Sequence, residues 1–381
     1  MIMNEIRVGL IGFGTIGKLH TLAYRNLPIS MKDPQVAPRL VTLLRSQLAK
    51  DADLATASGF EVVTTDPGEF YAQRLDAVDI CTPNHLHYSQ AQQALAAGVA
   101  VFCEKPLAMN YQEALKLADQ ADSLKAITQV AYSMRYSPAI RMVKGLLEQG
   151  LIGNLLNFRA FKYHSSYLDN RRPITWRLKY DQSGGGAFQD LGSHLADLAR
   201  YLIGSPSRLR AEMRTYISQR PENAGSNILD VVDVDDWAHC LLEFPGGGVG
   251  ELEVSRMAAG SGELTGLEIH GSKGALTYRS DQPESAFYYD LNQKRWQTSE
   301  LMPVPAAGER PIALLWPEKK FSQGDMLNRH MATIHDFLLN VSEGKPCLIN
   351  FQEAAKTQEI VEAAYRSARQ GGEWLHLPLQ P

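Results

Sequence analysis

Apolar residues follow two different rules along this chain. Over the first third, short apolar runs alternate with longer stretches in which apolar residues recur every three or four positions. Residues 6–11 read as a buried strand and 16–26 as the helix that follows it. A second strand over 40–45 leads to a helix over 46–58, and 61–64, 77–81, 99–103 and 126–132 supply further strands. Helices are expected over 86–97, stopped by Gly98, and over 111–121. Strands separated by helix-length segments imply right-handed crossovers and a parallel, doubly wound sheet. A ligand then sits at the carboxyl ends of the strands, where the loops after Ile11, Arg45, Cys81 and Cys103 converge.

Near residue 138 the pattern changes. A helix over 138–149 leads into a long strand over 155–164, and another helix begins near Asp190. Strands over 208–217, 237–244, 248–256, 266–270 and 275–279 follow one another, joined by turns such as Pro245-Gly246-Gly247-Gly248. Strands without helices between them predict a mostly antiparallel open sheet with helices on one face. Residues 303–324 hold four prolines and read as an extended arm, and helices over 325–343 and 352–370 close the chain. The 381 residues suit two domains, given roughly 150 residues per domain as a soft prior. The boundaries are placed at 1–133 and 134–381, both of α/β class.

Composition narrows the function classes. The net charge of −4 provides no basic field for nucleic acid or anionic lipid. No apolar run approaches the ~18 residues of a membrane span, and the opening Met1-Ile2-Met3-Asn4-Glu5-Ile6 lacks a signal-peptide pattern. Cys81, Cys103, Cys240 and Cys347 lie scattered among apolar neighbours with no Cys-x-x-Cys pair. They read as reduced core thiols of a cytoplasmic protein.

Four motifs carry candidate chemistry. Gly12, Gly14 and Gly17 directly follow the first strand and open the first helix, the context a dinucleotide fingerprint requires. Gly12 permits the tight turn, Gly14 lets backbone approach a pyrophosphate, and Gly17 lets helix and strand pack closely. The second motif, Thr82-Pro83-Asn84-His85-Leu86-His87, forces a turn after the fourth strand. Its histidines have no accompanying carboxylate or cysteine, so they read as helix-start and packing residues, and no metal is expected. In the third, Glu104-Lys105-Pro106 places a lysine at the end of the fifth strand, where it either reaches reacting atoms or forms a surface ion pair.

The fourth motif begins with Gly184-Gly185-Gly186. Beyond it Asp190 and His194 stand four residues apart, one above the other on a helix, with Asp197 extending the polar stripe. Leu191, Leu195, Leu198 and Leu202 form the apolar stripe beside it. The glycines are expected to bring backbone close to a ligand, and the Asp–His pair reads as an acid–base set.

In this order, the fingerprint, Thr-Pro-Asn-x-x-His at 82–87, Glu-Lys-Pro at 104–106 and Gly-Gly-x-x-x-Asp-x-Gly-x-His at 185–194 resemble the glucose–fructose oxidoreductase, inositol dehydrogenase and rhizopine-catabolism (Gfo/Idh/MocA) family. The resemblance covers nearly the whole chain. It implies an N-terminal Rossmann domain and a C-terminal α/β domain that binds substrate and assembles a homo-oligomer, a dimer or tetramer. It also implies NAD(P)-linked hydride transfer at a hydroxyl carbon of a sugar, anhydrosugar or cyclitol, with Lys105, Asp190 and His194 lining the nicotinamide-facing pocket. Residues expected at the cofactor are Gly12, Phe13, Gly14, Thr15, Ile16, Gly17, Arg45, Ser46, Thr82, Pro83, Asn84, His87, Glu104 and Lys105. Arg135-Tyr136 and Trp176-Arg177 resemble the family's substrate-side pairs, or are a half-buried aromatic and solvated arginines. Tyr163 and His164 complete a wall suited to ring C–H faces and hydroxyls.

One position departs from the NAD pattern. The second strand ends in Arg45-Ser46, where NAD sites place an acid for the ribose 2′-OH. Arg45 suits a 2′-phosphate, so NADP is expected ahead of NAD. The long segment before that strand leaves the register open, with Asp51 and Asp53 just downstream. An NAD-dependent glycosidase or a non-catalytic sugar or nucleotide sensor would share this fold. The joint presence of Lys105, Asp190 and His194 argues against a sensor.

Overall fold

The first strand, β1 (Asn4–Ile11), has Val8, Leu10 and Ile11 sealed from solvent, as a strand covered on both faces requires. It is part of a computed structural model that describes residues 3–47, 52–298 and 308–380. After β1 come α1 (Thr15–Ser30), β2 (Val36–Leu44), α2 (Ala52–Ala57) and β3 (Val62–Thr64). Then follow α3 (Pro67–Tyr71), β4 (Ala77–Ile80), α4 (Asn84–Ala96), β5 (Ala100–Cys103), α5 (Tyr111–Ser123) and β6 (Thr128–Val130). Every pairing is parallel, in the order β3-β2-β1-β4-β5-β6. That is the doubly wound Rossmann order, with its reversal between β1 and β4.

Helix α1 buries Gly17, His20, Ala23, Tyr24 and Leu27 at three- and four-residue spacing, which explains why it lies on the sheet. Helix α3 is not among the elements expected from the sequence. It is too short for periodicity to register, but it carries Pro67 at its first position and an Asp66 cap accepting from Gly68 N at 2.8 Å. Residues 48–51 of the helix expected over 46–58 lie outside the described residues.

The second sheet begins after α6 (Pro138–Glu148) with β7 (Leu155–Tyr163). A short α7 (Tyr180–Ser183) and a π turn over Phe188–Gly192 precede α8 (Ser193–Leu202). The strands are β8 (Arg208–Arg214), β9 (Gln219–Pro221), β10 (Leu229–Val231), β11 (Trp237–Glu243) and β12 (Val249–Ser255). They continue as β13 (Leu264–Gly271), β14 (Gly274–Arg279), β15 (Ala286–Asp290) and β16 (Arg295–Thr298). Among the described residues the large sheet runs β16-β15-β14-β13-β7-β12-β11-β8-β17, and β9 pairs only with β10. The sheet is mostly antiparallel, with β7 and β12 parallel. Inward rows such as Ala238, Cys240 and Leu242 are buried. On α8, Leu195, Leu198, Ala199 and Leu202 are buried as well.

The chain then adds α9 (Ile312–Leu315), α10 (Asp325–Glu343), α11 (Phe351–Arg369) and β17 (Leu375–His376). Met331, Ile334, Phe337 and Leu338 of α10 join the same buried cluster as β1. Accordingly the first unit comprises Met1–Ala108, Gln112–Tyr136 and Ala307–Ala355, and the second Met109–Tyr111, Ser137–Ala306 and Lys356–Pro381. This differs from the expected split at 133, because the apolar face of α10 belongs to the first core. Part of the proline-rich arm, 303–307, lies outside the described residues. No described helix is long and apolar enough to cross a membrane.

Candidate active site

The dinucleotide loop shows what each glycine does. Gly12 has φ +93° at the turn between β1 and α1, and its amide donates to Leu44 O at 2.9 Å, holding the loop to the end of β2. A Cβ on Gly17 would collide with the carbonyl oxygen of Gly12, so helix and loop touch there. Gly14 differs, since a Cβ there would meet nothing within 4 Å. It caps α1 from an exposed position, followed by exposed Thr15 and half-buried Ile16, with no acidic residue in the first turn. Open space over a helix N-terminus fits a pyrophosphate.

Arg45 stands directly after β2, with its amide on Thr64 O at 3.0 Å, so the expected register holds. Its guanidinium lies 6.0 Å from the Phe13 ring centre, and Phe13 meets Phe60 edge-on at 5.9 Å. The buried Nε and Nη1 of Arg45 find no hydrogen-bond partner among the described residues. Ser46 is exposed, as is Asp53 in α2, and Asp51 lies outside the described residues.

At the end of β4, Pro83 caps α4 and Asn84 is buried in its first turn. Thr82 donates its hydroxyl to Gln90 at 2.6 Å. His87 is buried with Nδ1 2.8 Å from Pro106 O and Nε2 2.9 Å from Thr82 O, joining this loop to the Glu104-Lys105-Pro106 turn. Burial lowers its pKa while the two carbonyls act to raise it, and through them the ring links the two loops. Its ring nitrogens are thus taken up by loop carbonyls, where the sequence reading expected contact with the cofactor. The half-buried Lys105 follows β5, and its amide donates to Glu104 Oε2 at 3.1 Å.

Arg135 and Tyr136 lie in the same unit, both buried. Tyr136 donates to Asp336 Oδ2 at 2.7 Å, and Asp336 also pairs with Arg310 at 2.6 Å. This ties Tyr136 into the core beside α10, and its 1% exposure leaves no ring face for a substrate.

In the second unit, Asp190 sits in the π turn and His194 in the first turn of α8, both half-buried. Ser193 N bonds Phe188 O, an i→i+5 link that widens the helix beneath the pair. Asp235 holds the start of this segment. Its Oδ1 accepts from Gly186 N at 2.8 Å and from Tyr365 Oη at 2.7 Å, and its Oδ2 accepts from Phe188 N at 2.8 Å. A Cβ on Gly186 would run into the Asp235 backbone, and one on Gly185 into the Tyr365 hydroxyl. These glycines therefore serve protein packing, where the sequence reading expected approach to a ligand.

Asp190 Oδ2 pairs at 3.1 Å with Nη2 of Arg256, which is 1% exposed. Arg256 was missed, although it continues the inward row Leu252, Val254 of β12. A charged residue in that row is the signal that marks it. Arg256 also lies 4.9 Å from the Tyr167 ring centre. His164 belongs with this group. Burial and the charge of Arg256 push its pKa down to about 4, leaving the ring neutral.

Tyr163, one residue earlier, points the other way with Arg159 and Phe161 and donates to Glu253 Oε2. The period-two alternation of β7 separates it from Asp190 and Arg256, so the structure does not bring Tyr163 to this group. Trp176 is half-buried, with the exposed Arg177 guanidinium 4.4 Å from its ring centre.

Known proteins share this fold. The profile of the "Oxidoreductase family, NAD-binding Rossmann fold" matches residues 6–132, and the "GFO/IDH/MocA C-terminal domain" matches 140–277. The levoglucosan dehydrogenase of Pseudarthrobacter phenanthrenivorans is 31% identical over 99% of both chains. The inositol 2-dehydrogenase of Rhizobium meliloti is 30% identical over 74% of this chain and 77% of its own. A levoglucosan dehydrogenase structure in complex with NADH and L-sorbose superposes with TM-score 0.90 at 30% identity, covering 99% of this chain and 100% of that one.

Proposed function

The chain belongs to the GFO/IDH/MocA family of oxidoreductases, and from that premise we propose that it oxidises or reduces one hydroxyl carbon of a neutral polyhydroxylated ring, a monosaccharide, anhydrosugar or cyclitol. The observation that carries this reading is the Asp190–Arg256 pair beside His164. It offers a carboxylate acceptor and a neutral imidazole to ring hydroxyls, while the buried guanidinium is already matched by a carboxylate. Arg220 is committed as well, donating to Tyr167 O and Asp169 O. This supports a neutral substrate over an acidic one.

A bound nicotinamide cofactor would supply the hydride acceptor or donor. The chain's residues do the rest. The hydroxyl must lose its proton as the hydride leaves, and Lys105 and His194 are the groups assigned to take it or to stabilise the developing alkoxide. Asp190 orients the ring. Trp176 offers a ring face to the substrate's C–H side. Trp176→Ala is expected to raise KM for a ring substrate more than it lowers kcat, because stacking binds ground and transition states alike. A kcat loss at constant KM would remove Trp176 from this role.

We further propose that NADP is preferred. The support is Arg45, whose buried Nε and Nη1 stand at the end of β2 beside Phe13. A charge-assisted contact to a 2′-phosphate is worth about 1.5–3 kcal/mol, or roughly ten- to a hundredfold in affinity. Arg45→Ala should erase that margin in kcat/KM. An NAD preference unchanged in the variant would refute the assignment. Assembly into a homo-oligomer belongs to the same reading. It is supported by the outward row of the second sheet, where the partly buried Trp237 stacks on His239 and the partly buried Tyr163 on the buried Phe161.

A further inference from the structure

Within the first unit, a cluster of buried titratable side chains adjoins the Lys105 turn, and of its members only Glu104 has been given a place at the cofactor. Its centre is His20, which interrupts the apolar stripe of α1 and is completely buried. The two ring nitrogens meet two different carboxylates. Nδ1 lies 2.8 Å from Asp79 Oδ2 of β4, and Nε2 lies 3.2 Å from Glu104 Oε1 just past β5. The other Glu104 oxygen accepts the Lys105 amide. Around this chain stand Cys81, 3.2 Å from His20 Nδ1, and His330 of α10, 3.1 Å from Nε2, with Tyr24 facing Asp79 from α1.

A carboxylate has no proton to give, so carboxylates on both nitrogens of one ring are satisfied together only by an imidazolium. The electrostatics agree. Burial alone would lower the His20 pKa, but the charge of Asp79 and its hydrogen bond raise it well above the ordinary value. Glu104, despite burial, is held down at about 2 by His20, with His330 and Lys105 contributing. Burial and the neighbouring His20 push His330 down to about 3, aided by Arg329 and Lys105, so it stays neutral. His20, Glu104 and His330 present ligand atoms within 4.8 Å of one another, as a metal site would. Shared protons already account for the separations of 3.1 and 3.2 Å.

We propose that His20 is a positioning residue for the dehydrogenase reaction: clamped between Asp79 and Glu104, it fixes the carboxylate that holds the Lys105 backbone and so sets where the Lys105 side chain is presented. The inference rests on the catalytic reading of Lys105. Without the imidazolium, two buried carboxylates would face each other at the ends of adjacent strands with no compensating charge. Glu104 would then take up a proton or move, and the lysine turn would move with it. On its far side that turn is held by His87 through Pro106 O, so a loose Glu104 leaves it anchored at one end only.

The test uses the full-length protein. Nitrogen-15 NMR of the histidine rings at about pH 8, above the ordinary histidine range, should find His20 doubly protonated. A neutral ring overturns the proposal without reference to any substrate. His20→Gln should lower kcat with a cyclic polyol about ten- to a hundredfold, the cost of a misplaced group, while the dissociation constant for NADPH stays within about threefold. An unchanged kcat also overturns it.

If His20→Gln fails to fold, Asp79→Asn carries the kinetic test, because it keeps the shape and removes one charge. Its kcat should fall as pH rises through the lowered His20 pKa, a limb the wild type lacks there. Superimposable pH profiles count against the proposal. Wild-type protein inert toward every cyclic polyol would defeat the substrate reading, with the ring protonation still deciding His20.

Discussion

Lys105→Ala and His194→Ala are each expected to lower kcat by about 10²–10⁴-fold, the usual cost of losing a general acid–base group. Lys105 stands at the end of β5, its backbone held by Glu104 on one side and, through Pro106, by His87 on the other. His194 sits in the first turn of α8, with Asp190 in the turn before it held by Arg256. Both variants should still bind the reduced cofactor, because the glycine loop and α1 are untouched. The double variant should cost little more than the worse single one, since residues acting as a unit are not additive. Near-native kcat in both single variants, with cofactor bound, would remove the pair from the chemistry.

Gly186→Ala is the second large effect. A Cβ there runs into the main chain of Asp235, which cannot swing aside as a side-chain tip would, because Asp235 accepts from Gly186 N, Phe188 N and Tyr365 Oη. Overpacking of this kind costs about 1–3 kcal/mol, or roughly 2–12 °C in Tm for a unit of this size. The displaced segment carries Asp190 and His194, so kcat should fall beyond what the lost stability explains. Gly14→Ala makes the contrast. Its Cβ enters open space, so Tm should hold while cofactor affinity drops. Equal Tm losses in the two variants would mean that packing does not distinguish these glycines.

The pattern of the sequence carried the first unit well because parallel strands buried on both faces are continuous apolar runs bounded by helices. All six of its strands and the long helices followed from that pattern to within a few residues, and the motifs marked the strand ends. The less legible parts have specific causes. The helix α10 reads as a helix anywhere, and only its packing places it in the first unit. The parallel β7–β12 pairing joins strands far apart in sequence, a relation local patterns do not encode. Tyr163 and His164 are neighbours in sequence yet face opposite sides of a strand. Arg256 and His20 were both visible as polar residues in otherwise apolar rows, a signal that marks buried networks when it is read as an exception. The triple glycine was legible as a constraint, but its cause, Asp235 and Tyr365, lies far along the chain.

The most direct test of the central claim is turnover of a panel of neutral cyclic polyols, monosaccharides, anhydrosugars and inositols, with NADP and with NAD, followed by the absorbance of the reduced nicotinamide. At least one cyclic polyol should reduce the cofactor, and its deoxy analogues should fail, because the site's hydrogen-bonding groups would be left unpaired. Activity confined to linear 2-hydroxy acids or simple alcohols, with no cyclic polyol turned over, would contradict the account.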